Sequence, residues 1–485
     1  MKRIADLQPE IVWKYFHEVT QVPRPSKKEE KIIRYMETFA AEHGLAIKKD
    51  KVNNVLISKP ATQGFEHLPT VILQSHLDMV CEKNNDVVHD FENDPIETVV
   101  DVAWLRANGT TLGADNGIGI AAQLAVLASN DIEHGAVECL FTVDEETGLT
   151  GAFALKEGFM TGKILLNLDS EEEGELFIGC AGGKGTVATF TYEPAPAPPT
   201  MQYFRIGVSG LRGGHSGCDI HLGLGNANKI VARFLFLVKK DVDFVLASIG
   251  GGNLHNAIAR EAFAVVGIEG KERENIRILL NRFAADVAYE LRHADPNVRL
   301  TMETVDAPET CFCNEFAGRL INVLLACPHG VKAMSQDIEG LVETSTNLAS
   351  VKMADNHTVV VGTSQRSSVE SAKHAIADQV AATFLLAGAD VKHSDGYPGW
   401  APNPNSNVLK AAQETYRKLF HKEPKVKAIH AGLECGLFLE KYPYLDMISF
   451  GPTMRDVHSP TERLEIDSVG LWWTHLLELL KNLPA

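Results

Sequence analysis

Two imidazoles and three carboxylates, His76, Asp115, Glu146, Asp169 and His458, each stand where an apolar run gives way to a polar or glycine-rich turn. His76 closes Val71-Ile72-Leu73-Gln74-Ser75. Glu146 ends the acidic run Asp144-Glu145-Glu146 after the apolar stretch 136–143. Asp169 follows Ile164-Leu165-Leu166-Asn167-Leu168, and His458 comes shortly after Met447-Ile448-Ser449-Phe450. Open α/β sheets gather their chemistry at such strand ends. Two imidazoles and three carboxylates exceed the needs of one tetrahedral zinc and suit two ions sharing one carboxylate. The chemistry that such a pair performs is activation of water.

Each residue also has a plainer reading. A single His at a strand end is commonly structural, but Asp78, two residues beyond His76, can accept the imidazole's other N–H and fix its tautomer. Asp115, in Gly113-Ala114-Asp115-Asn116-Gly117, could instead cap the helix that follows. Glu145 and Glu146 would be unremarkable on a surface, yet after a buried strand two adjacent carboxylates need cations or a shared proton. With Glu146 as a ligand, Glu145 is placed to serve as general base. Glu171-Glu172-Glu173 read as an exposed turn. The loose GxGxxA pattern at Gly117–Ala122 is set aside as a nucleotide site, because no buried strand precedes it and Asp115 would repel a pyrophosphate.

The elements that must position these residues alternate. Residues 9–45 read as two helices broken at Val22-Pro23-Arg24-Pro25, and 46–144 as strands alternating with helices, one of them 116–129. That rhythm predicts an α/β domain with a mostly parallel twisted sheet. Composition changes at Glu193-Pro194-Ala195-Pro196-Ala197-Pro198-Pro199, which reads as a loop. It changes again at Gly396-Tyr397-Pro398-Gly399-Trp400, and a last helix spans 466–482. For His458 to join the other four ligands, the chain must leave and re-enter one domain. The expected division is 1–186 plus 398–485 as a discontinuous catalytic domain, with 187–397 inserted as an α+β lid of two possible subdomains.

At 485 residues the chain exceeds one ordinary core. Its formal net charge of -17 and the lack of a basic stripe argue against a nucleic-acid partner. No apolar run reaches the length of a membrane span, no signal-peptide pattern opens the chain, and the eight cysteines are scattered without a CxxC pair. A cytoplasmic setting without membrane attachment is expected.

Taken together, His76-Leu77-Asp78, Gly113-Ala114-Asp115-Asn116-Gly117, Asp144-Glu145-Glu146-Thr147-Gly148, Asp169 and His458-Ser459-Pro460-Thr461-Glu462 resemble the di-zinc metallopeptidases of the carboxypeptidase G, acylase and dipeptidase family. Gly213-Gly214-His215-Ser216-Gly217 and His430-Ala431-Gly432-Leu433-Glu434-Cys435-Gly436 match further segments of that family. Length and motif wording are most similar to its bacterial aminoacyl-histidine dipeptidases, which cleave Xaa-His dipeptides including β-Ala-His. The resemblance implies that Asp115 bridges two metals, His76 and Asp169 complete one site, and Glu146 and His458 complete the other. It implies Glu145 as general base, Asp78 as the group orienting His76, and His215 as a lid histidine that polarises the scissile carbonyl. Asn256 and Arg366 would hold the substrate's C-terminal carboxylate. Asp at position 169 favours recognition of a free amino group over deacylase chemistry.

The implied reaction uses two divalent ions, zinc first with cobalt or manganese as alternatives, about 3.5–4 Å apart and acidifying a shared water. Glu145 takes the water's proton and returns it to the leaving amine, and lid closure excludes solvent and limits substrates to dipeptides. The alternatives are a broader dipeptidase or tripeptidase, an N-acyl amino-acid deacylase, and an inactive metal-holding binding protein. Small peptides and a second copy of the chain, as a homodimer, are the expected partners.

Overall fold

The structure is a computed structural model and describes residues 3–355 and 357–484. It divides into two compact units, one of Met1–Cys180, Trp400–Ala428 and Leu433–Ala485, the other of Ala181–Gly399 and Ile429–Gly432.

The first unit is built on an eight-stranded sheet. Its strands lie in the order Ala46–Lys49, Val55–Lys59, Val137–Thr142, Val71–His76, Ile164–Asn167, Asp446–Ser449, Glu175–Cys180, Lys425–Ile429. The central four run parallel, and antiparallel pairings flank them on both sides. Connection length decides which is which. Ala46–Lys49 and Val55–Lys59 are joined by a five-residue turn that permits only a hairpin, whereas Val71–His76 reaches Val137–Thr142 through a crossover containing helix Ala114–Ala128. Every residue of Val71–His76, Val137–Thr142 and Ile164–Asn167 is buried. That is why these strands lack the regular alternation of a half-buried sheet and carry apolar runs such as Val71–Leu73 and Ile164–Leu166. Helix Ala114–Ala128 is buried almost all round, from Ile118 to Leu127.

A smaller four-stranded sheet, in the order Met454–Arg455, Arg463–Glu465, Trp104–Ala107, Thr98–Asp101, completes the first unit. His458 lies in the loop of its outer hairpin. Leu464 pairs with Leu105 in the neighbouring strand, whose chain runs on to Asp115. One small sheet therefore registers two ligand candidates that are 343 residues apart in sequence.

The second unit carries a nine-stranded antiparallel sheet. One half is Arg299–Val305, Gln202–Ser209, Ala262–Ile268 and Phe244–Gly251, with helices Ala227–Val238 and Arg273–Glu290. The other is Val342–Ala354, Thr358–Ser367, Gly182–Thr191 and Asp390–His393, with Gly330–Met334 at its side and helices Asn314–Ala326 and Glu370–Leu386. The halves meet through Gly251 opposite Val351. A Cβ at Gly251 would lie 2.3 Å from Asn228 Oδ1 and 2.4 Å from the Ala262 Cβ, so only glycine fits at the join. One core, containing Phe190, Phe204, Phe234, Phe316 and Phe384, runs through both halves.

Two details depart from expectation. The proline run is not wholly loop: Pro194–Pro196 pairs antiparallel with Thr310–Phe312 in a two-stranded ribbon, where proline's missing N–H can be tolerated at an edge. The acidic turn is only partly exposed, because Glu172 pairs with Arg455 and Glu173 accepts a hydrogen bond from Tyr416, leaving Glu171 as its exposed member.

Candidate metal centre

Four candidate ligands stand at or beyond the carboxyl ends of the four central parallel strands. His76 is the last residue of its strand. The chain beyond Thr142 turns through Asp144 into Glu145 and Glu146, that beyond Asn167 reaches Asp169, and that beyond Ser449 reaches His458. Two of these turns use left-handed backbone at non-glycine residues, Asp144 (φ 51°) and His458 (φ 63°). Such a conformation costs on the order of 1–3 kcal/mol and persists only where surrounding structure holds it. At Asp144 the hold is visible: its N–H donates to Glu29 (3.0 Å) and its carboxylate accepts from the hydroxyls of Thr147 and Thr150.

Asp115 is the centre of the arrangement. Its Oδ1 lies 3.0 Å from His76 Nε2 and its Oδ2 lies 3.1 Å from His458 Nε2, so each carboxylate oxygen faces a different imidazole. Each imidazole nitrogen has a second carboxylate within reach, Asp169 at 3.5 Å from His76 and Glu146 at 3.1 Å from His458. Among the described residues, three sets of ligand atoms that could each hold an ion result: His76–Asp115–Asp169 and Asp115–Glu146–His458, with Asp115 common to both, and His76–Glu145–Glu146. Asp115 does not cap its helix. It and Asn116 are non-helical, and the Asn116 amide turns to the Leu168 carbonyl and the Asp169 carboxylate.

A surrounding layer of hydrogen bonds fixes these ligands. Asp78 places a carboxylate oxygen 3.3 Å from His76 Nδ1, while its own carbonyl lies closer at 3.1 Å. The same carboxylate accepts the backbone N–H groups of Glu145 (3.0 Å) and Glu146 (3.2 Å), and so anchors the general-base turn as well. Glu462 spreads its carboxylate over the N–H groups of Leu112, Gly113 and Ala114 at 2.8–3.0 Å, with that of Asp115 at 3.4 Å. Arg24, wholly buried, donates to the carbonyls of Leu77, Asp78 and Gly113, joining the His76 and Asp115 segments. Buried Glu434 accepts from Gln74 Nε2 (2.6 Å) and the Thr142 hydroxyl (2.7 Å). Sequence reasoning gave none of Arg24, Glu434 and Glu462 a role. Glu462 had a signal, as an acid four residues past His458, but Arg24 in a proline-flanked break had none.

The electrostatics fit a cation pair. Without one, protons neutralise the cluster. Hydrogen bonds to Asp115 and Glu146 drive His458 up to about 11. Burial opposes a charge on His76, but Asp169 and the bonds to Asp115 and Asp78 raise its pKa well above the usual value. Burial, reinforced by Asp115, lifts Asp169 to about 6, and burial with Asp169 and Glu146 lifts Glu145 well above the carboxylate range. Asp115 stays low despite burial because both imidazoles donate to it. Glu146 keeps one buried oxygen, Oε1, with no hydrogen-bond partner. Two divalent ions would replace these protons and occupy that oxygen; His76, Asp115, Glu146, Asp169 and His458 are the residues that would hold them.

The second unit gathers the remaining candidates. His215 Nδ1 accepts the N–H groups of Gly217 (3.3 Å) and Cys218 (3.1 Å), so its proton resides on Nε2. Burial and the charge of Arg366 lower its pKa to about 4 and keep it neutral. That Nε2–H lies 3.4 Å from Nη2 of Arg366, two donors facing one another, an arrangement that an anion accepting from both would relieve. Asn256 lies in the adjoining loop, where its carbonyl accepts from Ser216 N–H (2.8 Å).

Two outcomes follow. Because imidazole must lose its proton to bind a metal, loading the metal-free protein at pH 7.5 should release protons, read as a dependence of the calorimetric heat on buffer ionisation. Metal affinity should fall as pH is lowered. The sign is opposite for the metal-free fold: the raised pKa of His458 adds stability that is complete below its ordinary 6.5 and fades as pH rises toward about 11, moderated by solvent over its half-exposed ring. A heat independent of buffer would contradict this ligand set. Second, Glu462→Ala should weaken metal affinity by about 10- to 100-fold, as loss of an outer hydrogen-bonding partner does, with the fold retained by circular dichroism. Unchanged affinity would show that the Asp115 loop holds itself.

Comparison with known proteins places the chain in a family. Residues 72–482 match the model of peptidase family M20/M25/M40. The chain is 43% identical over 485 residues to the cytosol non-specific dipeptidase of Escherichia coli (strain K12), with both chains covered in full. It superimposes with a TM-score of 0.92 on the crystal structure of aminoacylhistidine dipeptidase from Vibrio alginolyticus, at 42% identity, covering 100% of this chain and 98% of that one. A tripeptidase from Staphylococcus aureus shares the fold at a TM-score of 0.56 and 17% identity over 98% of both chains. The chain is a member of peptidase family M20/M25/M40.

Proposed function

We propose that this protein is a metal-dependent dipeptidase of the cytosol that hydrolyses the single peptide bond of dipeptides, with Xaa-His substrates, β-Ala-His included, preferred. One observation carries the reading: a single carboxylate, Asp115, turns one oxygen to each of two imidazoles, and each imidazole has its own second carboxylate. The names of the two relatives support the dipeptide class and differ on breadth, non-specific in one and aminoacylhistidine in the other. The cytosol is supported by the name of the Escherichia coli relative and by eight cysteines that form no disulfide. Imidazole and carboxylate donors suit zinc, and also cobalt or manganese.

Ions held by the five ligands supply Lewis-acid polarisation of the scissile carbonyl and acidification of a water. The chain's own groups do the rest. Glu145, half-buried beside Glu146 and anchored through its N–H to Asp78, accepts the water's proton and passes it to the leaving amine. His215, neutral and protonated on Nε2, donates to the oxygen that becomes negative, a role worth roughly 3–4 kcal/mol per donor. Arg366 and Asn256 hold the free carboxylate, the Arg366 guanidinium by charge-assisted hydrogen bonds. A group fixed on the C-terminal carboxylate sets how many residues fit before the bond that is cut. That separates a dipeptidase from a tripeptidase.

Glu145→Ala should lower kcat at least about 1,000-fold, within the range of lost acid–base catalysis, while metal content stays at the wild-type ratio. The zinc-loaded enzyme should cleave β-Ala-His and Leu-Leu in a chelator-sensitive manner and leave Leu-Gly-Gly and N-acetyl-Leu nearly untouched. Preference for the tripeptide would remove the substrate class and keep the metal chemistry. Wild-type rates in Glu145→Ala would remove the base. For assembly we propose a homodimer, supported by exposed Leu385 and Leu386, the latter 91% accessible, ending helix Glu370–Leu386. Sedimentation at micromolar concentration should give twice the 53.0 kDa chain mass; a monomer mass would rule it out.

A further inference from the structure

Within the second unit, strands Val342–Ala354 and Thr358–Ser367 pair so that Ser345 faces Arg366 and Asn347 faces Ser364. Residues two apart share a face, so these four side chains form one polar platform. Each is tied to a different piece of chain. Ser345 Oγ lies 2.7 Å from His430 Nε2, and Asn347 Nδ2 donates to the Ala257 carbonyl (2.8 Å). Ser364 Oγ meets Ser216 Oγ at 3.5 Å, and Arg366 Nη1 donates to the Tyr397 hydroxyl (2.9 Å). Ser345, Asn347, Arg366 and His430 are all at least nine-tenths buried.

Among the described residues of this unit, three buried side-chain polar atoms have no hydrogen-bond partner: Asn347 Oδ1, Arg366 Nε and His430 Nδ1. Asn347 and Arg366 belong to this platform, and His430 is hydrogen-bonded to it through Ser345. Folded proteins leave few such atoms, and each costs about 1–3 kcal/mol. Three in one place mark a position that a ligand completes.

The protonation of His430 follows from counting. If Nε2 carried the proton and donated to Ser345, the Ser345 hydroxyl hydrogen and the Nδ1 lone pair would both lack partners. If the hydroxyl donates to Nε2, only an Nδ1–H is left over. Burial, then Arg366 and His215, lower the pKa of the ring to about 3 and keep it neutral, although the nearby Val342 backbone favours the protonated form. His430 thus sets a second donor near Arg366 without a second positive charge. Two free N–H groups suit a carboxylate, and the free acceptor on Asn347 suits an N–H close to that carboxylate. The C-terminal residue of a peptide carries both.

We infer that His430 is a substrate-contacting residue whose Nδ1–H, together with Arg366, binds the C-terminal carboxylate of the dipeptide. The inference rests on the proposed role of Arg366 as carboxylate holder, and the experiment separates the two. It uses the full-length, metal-loaded enzyme with β-Ala-His, Leu-Leu and the carboxamide Leu-Leu-NH2. The variants are His430→Gln, whose amide reaches the Nε2 position and keeps Ser345, His430→Asn, whose amide replaces Nδ1, and Arg366→Met. His430→Gln should raise KM for both dipeptides about 10- to 100-fold, the range of a lost hydrogen bond to a charged group, with kcat within about twofold. His430→Asn should restore most of that loss, and kcat/KM for the carboxamide should be nearly indifferent to either change. A merely structural histidine would give the reverse order, Gln tolerated and Asn damaging, with the carboxamide affected as much as the acids. If Arg366→Met raises KM and His430→Gln does not, the role of His430 is overturned and the carboxylate holder stands. If neither variant moves KM, both fall.

Discussion

Burial of like charge is the constraint on which the rest of this structure depends. Asp115, Glu145, Glu146 and Asp169 converge at the ends of four parallel strands, with Glu434 and Glu462 buried behind them. Carboxylates in low dielectric repel one another and resist desolvation, so such a gathering exists only where protons or cations neutralise it. The shifts of His76 and His458 upward, and of Asp169 and Glu145 upward with them, are one response: the cluster takes up protons wherever it can. Metal ions answer the same demand with groups that also polarise a carbonyl. Fold and chemistry therefore share a cause.

The backbone around the cluster is organised to keep the ligands from relaxing away. Glu462 and Arg24 hold opposite sides of the Asp115 segment, one through N–H groups and the other through carbonyls. Asp78 couples His76 to the Glu145–Glu146 turn through one carboxylate. The small sheet fixes His458 relative to the strand that leads to Asp115. The second unit presents the opposite imbalance, with N–H donors in excess: Arg366 Nε, the Nε2–H of His215 and the Nδ1–H of His430. The first unit is short of cations and the second of an anion.

The candidate ligands were legible in the sequence because parallel strands buried on both faces open on apolar runs, Val71–Leu73 and Ile164–Leu166, and the polar residues that follow stand out. His76 and Asp169 are such residues. Capping was the natural rival at Asp115, and it fails because Asp115 and Asn116 are themselves non-helical, while Glu462, distant by 347 residues, holds the N–H groups of the segment that leads to them. No local pattern encodes that. Arg24 was hidden in the same way, since its partners are carbonyls that carry no sequence signal. The antiparallel flanks of the first sheet depend on connection length and could be read only once strand boundaries were known. The proline run misled because a ribbon of two short strands tolerates what a central strand cannot. His430 stood in a recognisable motif, but its free nitrogen became visible only when Ser345 was seen to occupy the other.

The groups now in hand also bear on breadth. On the proposed assignments, Arg366, Asn256 and His430 would address the free carboxylate and the five ligands with Glu145 and His215 the peptide bond; every dipeptide has both features. Sites that satisfy buried hydrogen-bonding groups discriminate strongly against substrates lacking the partner, by roughly 10,000-fold or more, whereas apolar contacts differing by one methylene discriminate by about 10- to 200-fold. On that assignment length would be selected by the strong kind of interaction. A preference for imidazole has no buried polar partner of its own among these residues, so it belongs to the weak kind and is a matter of degree. The two relatives' names, one non-specific and one aminoacylhistidine, describe chains equally similar to this one, as a strict length rule with a graded side-chain preference would produce.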